Sequence, residues 1–127
     1  MEHYIPILRK EASKSPMEQH LSAIIVKDGK IVARGFNRYG MDSSTATKKQ
    51  IQDRFVNTHA EMDCLFQTKL NALDGAFMFV ARFNKIGELQ NSCPCGKCQK
   101  VLFKFLDKIY YIESGKIKKL EKMEGGV

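Results

Sequence analysis

Two short motifs flank one long apolar segment, and this arrangement restricts the fold more than any other feature of the chain. The first motif is His59-Ala60-Glu61, and the second, Pro94-Cys95-Gly96-Lys97-Cys98, follows after a gap of 32 residues. Between them, residues 76–83 form an almost continuous apolar run, which is typical of a strand buried on both faces. Helical periodicity begins at each motif, so we predict two helices, over residues 59–70 and 95–106, separated in sequence by this strand.

The rest of the chain predicts a hairpin before this unit and another after it. Branched apolar runs at 21–27 and 31–36 are joined by Asp28-Gly29, a strong signal for a tight hairpin turn. Two further strands are predicted at 109–112 and 116–120, with a turn at Ser114-Gly115.

The remaining segments are a helix, an excursion and a long irregular stretch. Residues 5–20 predict a first helix, broken near Ser15-Pro16 because a residue before proline avoids helical geometry. Residues 84–90 predict a loop that makes a hairpin-like excursion, and residues 37–58 predict an irregular segment beside the functional site.

The order of elements predicts an α/β fold. A strand–helix–strand–helix–strand core favours right-handed parallel crossovers. We therefore expect a three-layer α/β/α domain with a mixed sheet of about five strands and helices on both faces. With 127 residues, the chain fits a single domain over residues 1–127.

The two motifs offer the ligands of a catalytic metal site. His59, Cys95 and Cys98 supply one imidazole and two thiols, and zinc held by three protein groups keeps a fourth position for water. Glu61 is a carboxylate that can move protons beside that water. Helix N-termini stabilise thiolates, so we expect both cysteines to ionise readily. Thr58 has the spacing of an N-cap whose capping box includes Glu61.

A structural zinc site formed by all four cysteines is the alternative. It would use Cys64 and Cys93 together with Cys95 and Cys98. Cys64 is isolated within the predicted helix, and a Cys-x-Cys spacing is unusual for zinc. We therefore favour a buried, non-ligating Cys64 and a loop position for Cys93.

Net charge and the arrangement of the cysteines limit the partners and the cellular compartment that we expect for the protein. The formal net charge of +7 is compatible with an anionic partner and equally with simple solubility. Three cysteines within six residues are too local to staple a fold, so we expect thiols committed to metal in a reducing, cytoplasmic compartment. No apolar run approaches about 18 residues, and the first residues lack a signal-peptide pattern, so we expect no membrane association.

The motif pair is similar to that of the zinc-dependent cytidine and deoxycytidylate deaminase superfamily, with its H-x-E followed by P-C-x-x-C. The resemblance spans roughly residues 21–112. It implies one zinc per chain on His59, Cys95 and Cys98, and a proton carried by Glu61 from the attacking water to the ring nitrogen and the leaving ammonia. It also implies that Asn37 holds the sugar and that the backbone of Ala60 contacts the base.

The resemblance does not select a substrate. The histidine of the first motif is similar to deoxycytidylate and polynucleotide-editing deaminases, whereas the C-terminal hairpin is similar to nucleoside deaminases. Our leading hypothesis is deamination of a cytosine nucleoside or nucleotide to the uracil form, by a homo-oligomer. Phe103, Tyr110 and Tyr111 are candidate interface residues, but we favour core positions for them.

Two other functions remain open. The first is deamination of cytosine or adenine within RNA or single-stranded DNA, for which Tyr39 or Phe55 could stack on a base. The basic residues of the irregular segment favour this alternative: Lys48, Lys49 and Arg54. The second is a non-catalytic, zinc-stabilised binding module.

Overall fold

The computed structural model of the chain describes residues 1–40, 57–70 and 73–122. These residues form one sheet with helices on both faces, which confirms the predicted α/β fold. The six strands are β1 (His20–Lys27), β2 (Lys30–Phe36), β3 (Phe77–Phe83), β4 (Leu89–Gln90), β5 (Lys108–Glu113) and β6 (Lys116–Lys119). The α-helices are α1 (Ile5–Ala12), preceded by a 3-10 turn at Glu2–Tyr4, then α2 (Ala60–Leu65) and α3 (Gly96–Leu102).

The β1–β2 hairpin forms where the Asp-Gly pair predicts it. Asp28 and Gly29 have φ values of 53° and 76°, the left-handed pair that a tight two-residue turn requires. A bulge between Ile25 and Val26 then shifts the register by one residue. Beyond the bulge, Ser22 pairs with Phe36, and this shifted register brings the end of β2 alongside the start of β1.

The sheet order is β2-β1-β3-β5-β6, with β4 pairing the end of β3. β3 is antiparallel to β1 and parallel to β5, so β2 and β3 run in the same direction with β1 between them. The crossover between β3 and β5 joins two neighbouring parallel strands, as predicted. The connection from β2 to β3 also joins parallel strands, but it passes over β1, which lies between them. β4 supplies the hairpin-like excursion predicted for residues 84–90.

Helix α1 covers one face of the sheet. Its Leu8 and Ala12 are fully buried against Ile24 and Phe79 of the central strands. The hydroxyl of Ser22 also donates to the carbonyl oxygen of Leu8 at 2.7 Å, which fixes the helix against β1. This face contains a hydrophobic core and no part of the motif pair.

Helices α2 and α3 cover the opposite face. Met62 and Leu65 of α2, together with Val101 and Leu102 of α3, are buried in one continuous core with the sheet. Both motifs therefore lie at the ends of helices that share a single hydrophobic core, as the order of elements predicts.

All three helices are shorter than predicted. The first ends at Ala12, where the Ser13 hydroxyl donates to the Lys10 carbonyl oxygen at 2.6 Å, and no helix follows the Ser15-Pro16 break. Helix α2 ends at Leu65, whose carbonyl accepts from the Thr68 hydroxyl at 2.9 Å. Helix α3 ends at Leu102 and continues only as tight turns, a common way for helices to finish.

Several predictions concern residues outside the described ranges. Most of the irregular 37–58 segment lies there, with Lys48, Lys49, Arg54 and Phe55. Within the described part of the chain, no helix is long and apolar enough to cross a membrane.

Candidate metal centre and active site

The first ligand of each motif occupies the residue just before a helix. His59 is the N-cap of α2 with ψ of 148°, and Cys95 is the N-cap of α3 with ψ of 164°. Neither side chain caps its own helix with a hydrogen bond, so both remain directed at the space between the helix ends. The predicted placement of both motifs at helix starts is therefore confirmed.

The three predicted ligands lie together. His59 Nδ1 is 3.3 Å from Cys98 Sγ and 3.9 Å from Cys95 Sγ. The ligand atoms of all three side chains are within 4.8 Å of one another, and within the described ranges no other set of histidine, cysteine or acidic residues meets this test. One imidazole and two thiols are a donor set that suits zinc and leaves a fourth position available.

The carboxyl group of Glu61 lies against this cluster. Its side chain is fully buried, and Oε1 has no hydrogen-bond partner among the described residues. A buried polar oxygen without a partner is costly unless a ligand completes it. Its position next to the sulfur of Cys98 therefore fits a carboxyl that serves a metal-bound or substrate group.

The protonation states of the cluster depend on burial. Burial raises the pKa of Glu61, partly opposed by hydrogen bonds from its own backbone N–H and from Cys98. Burial, and next the charge of Lys97, lowers the pKa of His59, which keeps the imidazole in the neutral form that binds metal.

The prediction that the Cys98 thiol ionises readily is wrong when only the groups of the protein act on it. Burial raises its pKa strongly, and the negative charges of Glu61 and Cys95 raise it further. The thiolate at this position therefore requires the positive charge of the metal, so metal binding and deprotonation are coupled.

A cavity of about 230 Å³ opens beside the cluster. His59, Glu61 and Cys95 are among the residues that line it. Both residues predicted to contact substrate, Asn37 and Ala60, also line it.

The amide of Asn37 is already held by the protein. Its Oδ1 accepts from the backbone N–H of Leu21 at 2.9 Å, and its Nδ2 donates to the carbonyl of Gln19 at 2.8 Å and contacts Met17 Sδ at 3.3 Å. Both amide hydrogens therefore have partners, and Oδ1 retains one lone pair for a substrate hydroxyl.

The cavity has five other lining residues: Met17, Leu21, Asn57, Thr58 and Cys93. Asn57 and Thr58 belong to the 37–58 segment that the sequence places beside the functional site, whereas Met17, Leu21 and Cys93 were not predicted as site residues. Met17 was assigned to a helix that ends earlier, and Thr58 was assigned as an N-cap, a prediction that is wrong because its hydroxyl donates to the Gly40 carbonyl at 2.7 Å. The predicted hairpin places Leu21 near the end of β2. The bulge between Ile25 and Val26, which the sequence does not reveal, then sets the register that brings Leu21 beside Asn37.

The remaining two cysteines stay apart from the ligand cluster. Cys64 is fully buried within α2, and burial raises its pKa well above the usual range. Cys93 is exposed beside the cavity. Neither joins a four-cysteine site in the described structure, so the three-ligand arrangement is the one present.

The fold and the site together define a zinc-dependent hydrolytic deaminase. The family description "Cytidine and deoxycytidylate deaminase zinc-binding region" matches residues 1–113. The chain therefore belongs to the cytidine and deoxycytidylate deaminase family, as the motif pair predicts. The family's zinc-binding region, together with the group of His59, Cys95 and Cys98 that could hold a metal ion, supports one zinc per chain.

Solved structures share the fold at low sequence identity. A cytidine deaminase from Burkholderia pseudomallei is 17% identical, with a TM-score of 0.63 over 94% of this chain and 90% of that one. A dCMP deaminase from the cyanophage S-TIM5 is 24% identical, with a TM-score of 0.53 over 81% of this chain and 73% of that one. Cytidine deaminase from Mycobacterium tuberculosis is 18% identical, with a TM-score of 0.51 over 90% and 88%. No curated protein sequence matches this chain significantly.

Proposed function

We propose that the protein deaminates a cytosine nucleoside or nucleotide by hydrolysis, giving the uracil form and ammonia. The observation that carries the proposal is the unpartnered Oε1 of Glu61, which is buried beside the three candidate metal ligands in a residue that lines the cavity. The structural neighbours include a dCMP deaminase in complex with dCMP and dUMP.

Each site residue has a distinct role in this reaction. His59, Cys95 and Cys98 would hold the zinc, which supplies Lewis acidity and lowers the pKa of water. Glu61 takes the proton from the attacking water and delivers it to the ring nitrogen and then to the departing amino group. Its raised pKa suits this work, since the carboxyl must both accept and return a proton near neutral pH.

Residues that line the cavity orient the substrate. Asn37 accepts a hydrogen bond from a sugar hydroxyl through Oδ1, because its two amide hydrogens already have partners. The backbone of Ala60, buried at the start of α2, contacts the base. Met17 and Leu21 supply the apolar surface of the same wall.

A substrate screen tests the proposal. Purified, zinc-loaded protein is incubated with cytidine, deoxycytidine and their monophosphates, and ammonia release is measured. We expect turnover of at least one, and we expect Glu61→Gln to abolish that turnover while the protein keeps one zinc per chain. An active Glu61→Gln variant would contradict the role of this carboxyl. Absence of ammonia from every substrate, oligonucleotides included, with full zinc loading, would instead favour the non-catalytic binding module.

Deamination within a polynucleotide is the second candidate. Tyr39 supports it, because its side chain is 61% exposed between two residues that contact the cavity-lining Thr58. An oligonucleotide containing cytosine, and one containing adenine, belong in the same screen. Binding that weakens steeply with salt, together with deamination of either oligonucleotide, would select this candidate.

Assembly remains a prediction. Phe103 is buried within the core of the single chain, and Tyr110 packs edge-on against Phe77, so both already have internal partners. Tyr111 packs partly against the same core as Phe103. Light scattering on the zinc-loaded protein measures the oligomeric state directly.

A further inference from the structure

An ion pair connects the helix that carries Glu61 to the loop after β2. Arg38 Nη1 lies 2.6 Å from Asp63 Oδ1. The second oxygen, Asp63 Oδ2, accepts from the backbone N–H of Phe36 at 3.0 Å. The carboxylate is 8% exposed and the guanidinium 27%, so this pair is mostly withdrawn from solvent and both carboxylate oxygens are used.

Arg38 passes this restraint to the residue before the first metal ligand. Its backbone N–H donates to the carbonyl of Thr58, and its carbonyl accepts from the N–H of Thr58, both at 3.1 Å. The Thr58 hydroxyl adds a bond to the Gly40 carbonyl at 2.7 Å. Residues 38–40 and 57–58 thus form a short clasp, and the ion pair between Arg38 and Asp63 ties this clasp to helix α2.

The clasp carries one wall of the cavity. Asn37 precedes Arg38 directly, and Asn57 and Thr58 both line the cavity. The metal ligands and Glu61, by contrast, are fixed by helices α2 and α3 and their shared core. Loss of the ion pair should therefore disturb the wall more than the metal centre.

We propose that Asp63 is a positioning residue, which acts through Arg38 to hold the cavity wall of residues 37 and 57–58 in register with the metal centre. The catalytic consequence rests on the proposed function. Asp63 is neither among the residues that line the cavity nor among the three clustered ligands. Its effect is to fix the distance between the sugar-binding side of the cavity and the side that performs chemistry.

The first test is steady-state kinetics on the best substrate of the screen. For Asp63→Asn we expect KM to rise by about tenfold or more, with kcat changed less than about threefold and zinc content unchanged. Arg38→Met should give the same rise, and Asp63→Asn combined with Arg38→Met should add nothing further, since both changes break one pair. Arg38→Lys keeps the charge and should recover part of the affinity.

The chain contains a matched control on the opposite face of the sheet. Glu11 is also 8% exposed at its side chain and pairs with Lys14 at 2.9 Å, but it lies in α1, away from the cavity. Glu11→Gln should reduce stability without changing KM. If Asp63→Asn and Glu11→Gln change KM equally, Asp63 has a general structural role and the proposal is wrong.

A second measurement does not depend on activity. Amide hydrogen exchange of Arg38 and Thr58 reports the clasp directly, and the amide of Ser92, which is bonded to the Ile112 carbonyl at 2.9 Å and lies outside the proposed wall, serves as a reference. Asp63→Asn should speed exchange at Arg38 and Thr58 at least about tenfold more than Glu11→Gln does. Unchanged exchange would overturn the proposal. If the wild type releases no ammonia, the proposed function fails while this measurement still decides the role of the ion pair.

Discussion

Replacing Gly35 with alanine should move the helix that carries Glu61. A Cβ at this position would lie 2.4 Å from the backbone nitrogen of Cys64 and 2.7 Å from the carbonyl oxygen of Ala60. Ordinary contact begins at 3.4 Å, so α2 must retreat from β2 by about 1 Å to accept the methyl group. The obstructing atoms are helix backbone, which no change of rotamer can relieve.

The displacement has two measurable consequences. Overpacking of this kind costs about 1–3 kcal/mol of unfolding free energy. A shift of about 1 Å in the helix bearing Glu61 should also lower kcat about 100-fold, because the carboxyl no longer meets the reacting groups. Urea unfolding measures the first effect and ammonia release the second.

Gly96→Ala is the matched control. Gly96 opens helix α3, and a Cβ there would meet no atom within 4 Å. Its unfolding free energy should be unchanged or slightly raised, since alanine is the better helix former. If Gly35→Ala keeps wild-type stability and kcat, the close approach of α2 to β2 does not set the position of Glu61, and the reasoning fails.

Three further predictions concern metal, packing and pH. Cys98→Ser should lose zinc, measured by atomic absorption, whereas Cys93→Ser should retain one zinc per chain. Ser92→Ala should lower the unfolding free energy by about 1–3 kcal/mol, because the buried hydroxyl bonds both the Val80 carbonyl and the Ile112 N–H at 2.8 Å. In zinc-free protein, burial raises the pKa of Glu61 above that of an ordinary glutamate. The protonated carboxyl therefore contributes stability that is complete below the ordinary glutamate pKa and is lost as the pH rises through the pKa of Glu61 in the folded protein. Zinc-free Glu61→Gln should therefore exceed the wild type in stability near pH 8 and approach it near pH 4, by urea unfolding with a chelator; an opposite trend would contradict the assigned burial effect.

The sequence predicts the parts of this fold that depend on local signals. Asp28-Gly29 specifies its turn because both residues tolerate positive φ, and the run at 76–83 specifies a central strand by its apolar content. The two motifs predict the ligand cluster for a different reason: residues of the required chemistry occur at helix starts, and the order of elements brings those starts together.

Features that depend on distant contacts were not predictable in this way. Asp63 and Arg38 are 25 positions apart, and their pairing follows from how α2 lies on β2. The raised pKa of Cys98 likewise reflects burial and the neighbouring charges of Glu61 and Cys95, which only the folded chain brings to this position. The helix ends were overestimated because tight turns continue the same apolar spacing after regular helix stops.

The positions of the ligands along the chain matter before the fold exists. Cys95 and Cys98 are neighbours in any conformation, with Cys93 beside them, whereas His59 is 36 positions away from Cys95. An unfolded chain can therefore retain a zinc ion on its thiols, and metal that binds the unfolded state reduces the stabilisation that the native site provides. The histidine can join the two thiols only when the fold brings the start of α2 beside the start of α3. The thermal stability of the protein should accordingly rise less with zinc concentration than the affinity of the native site alone implies.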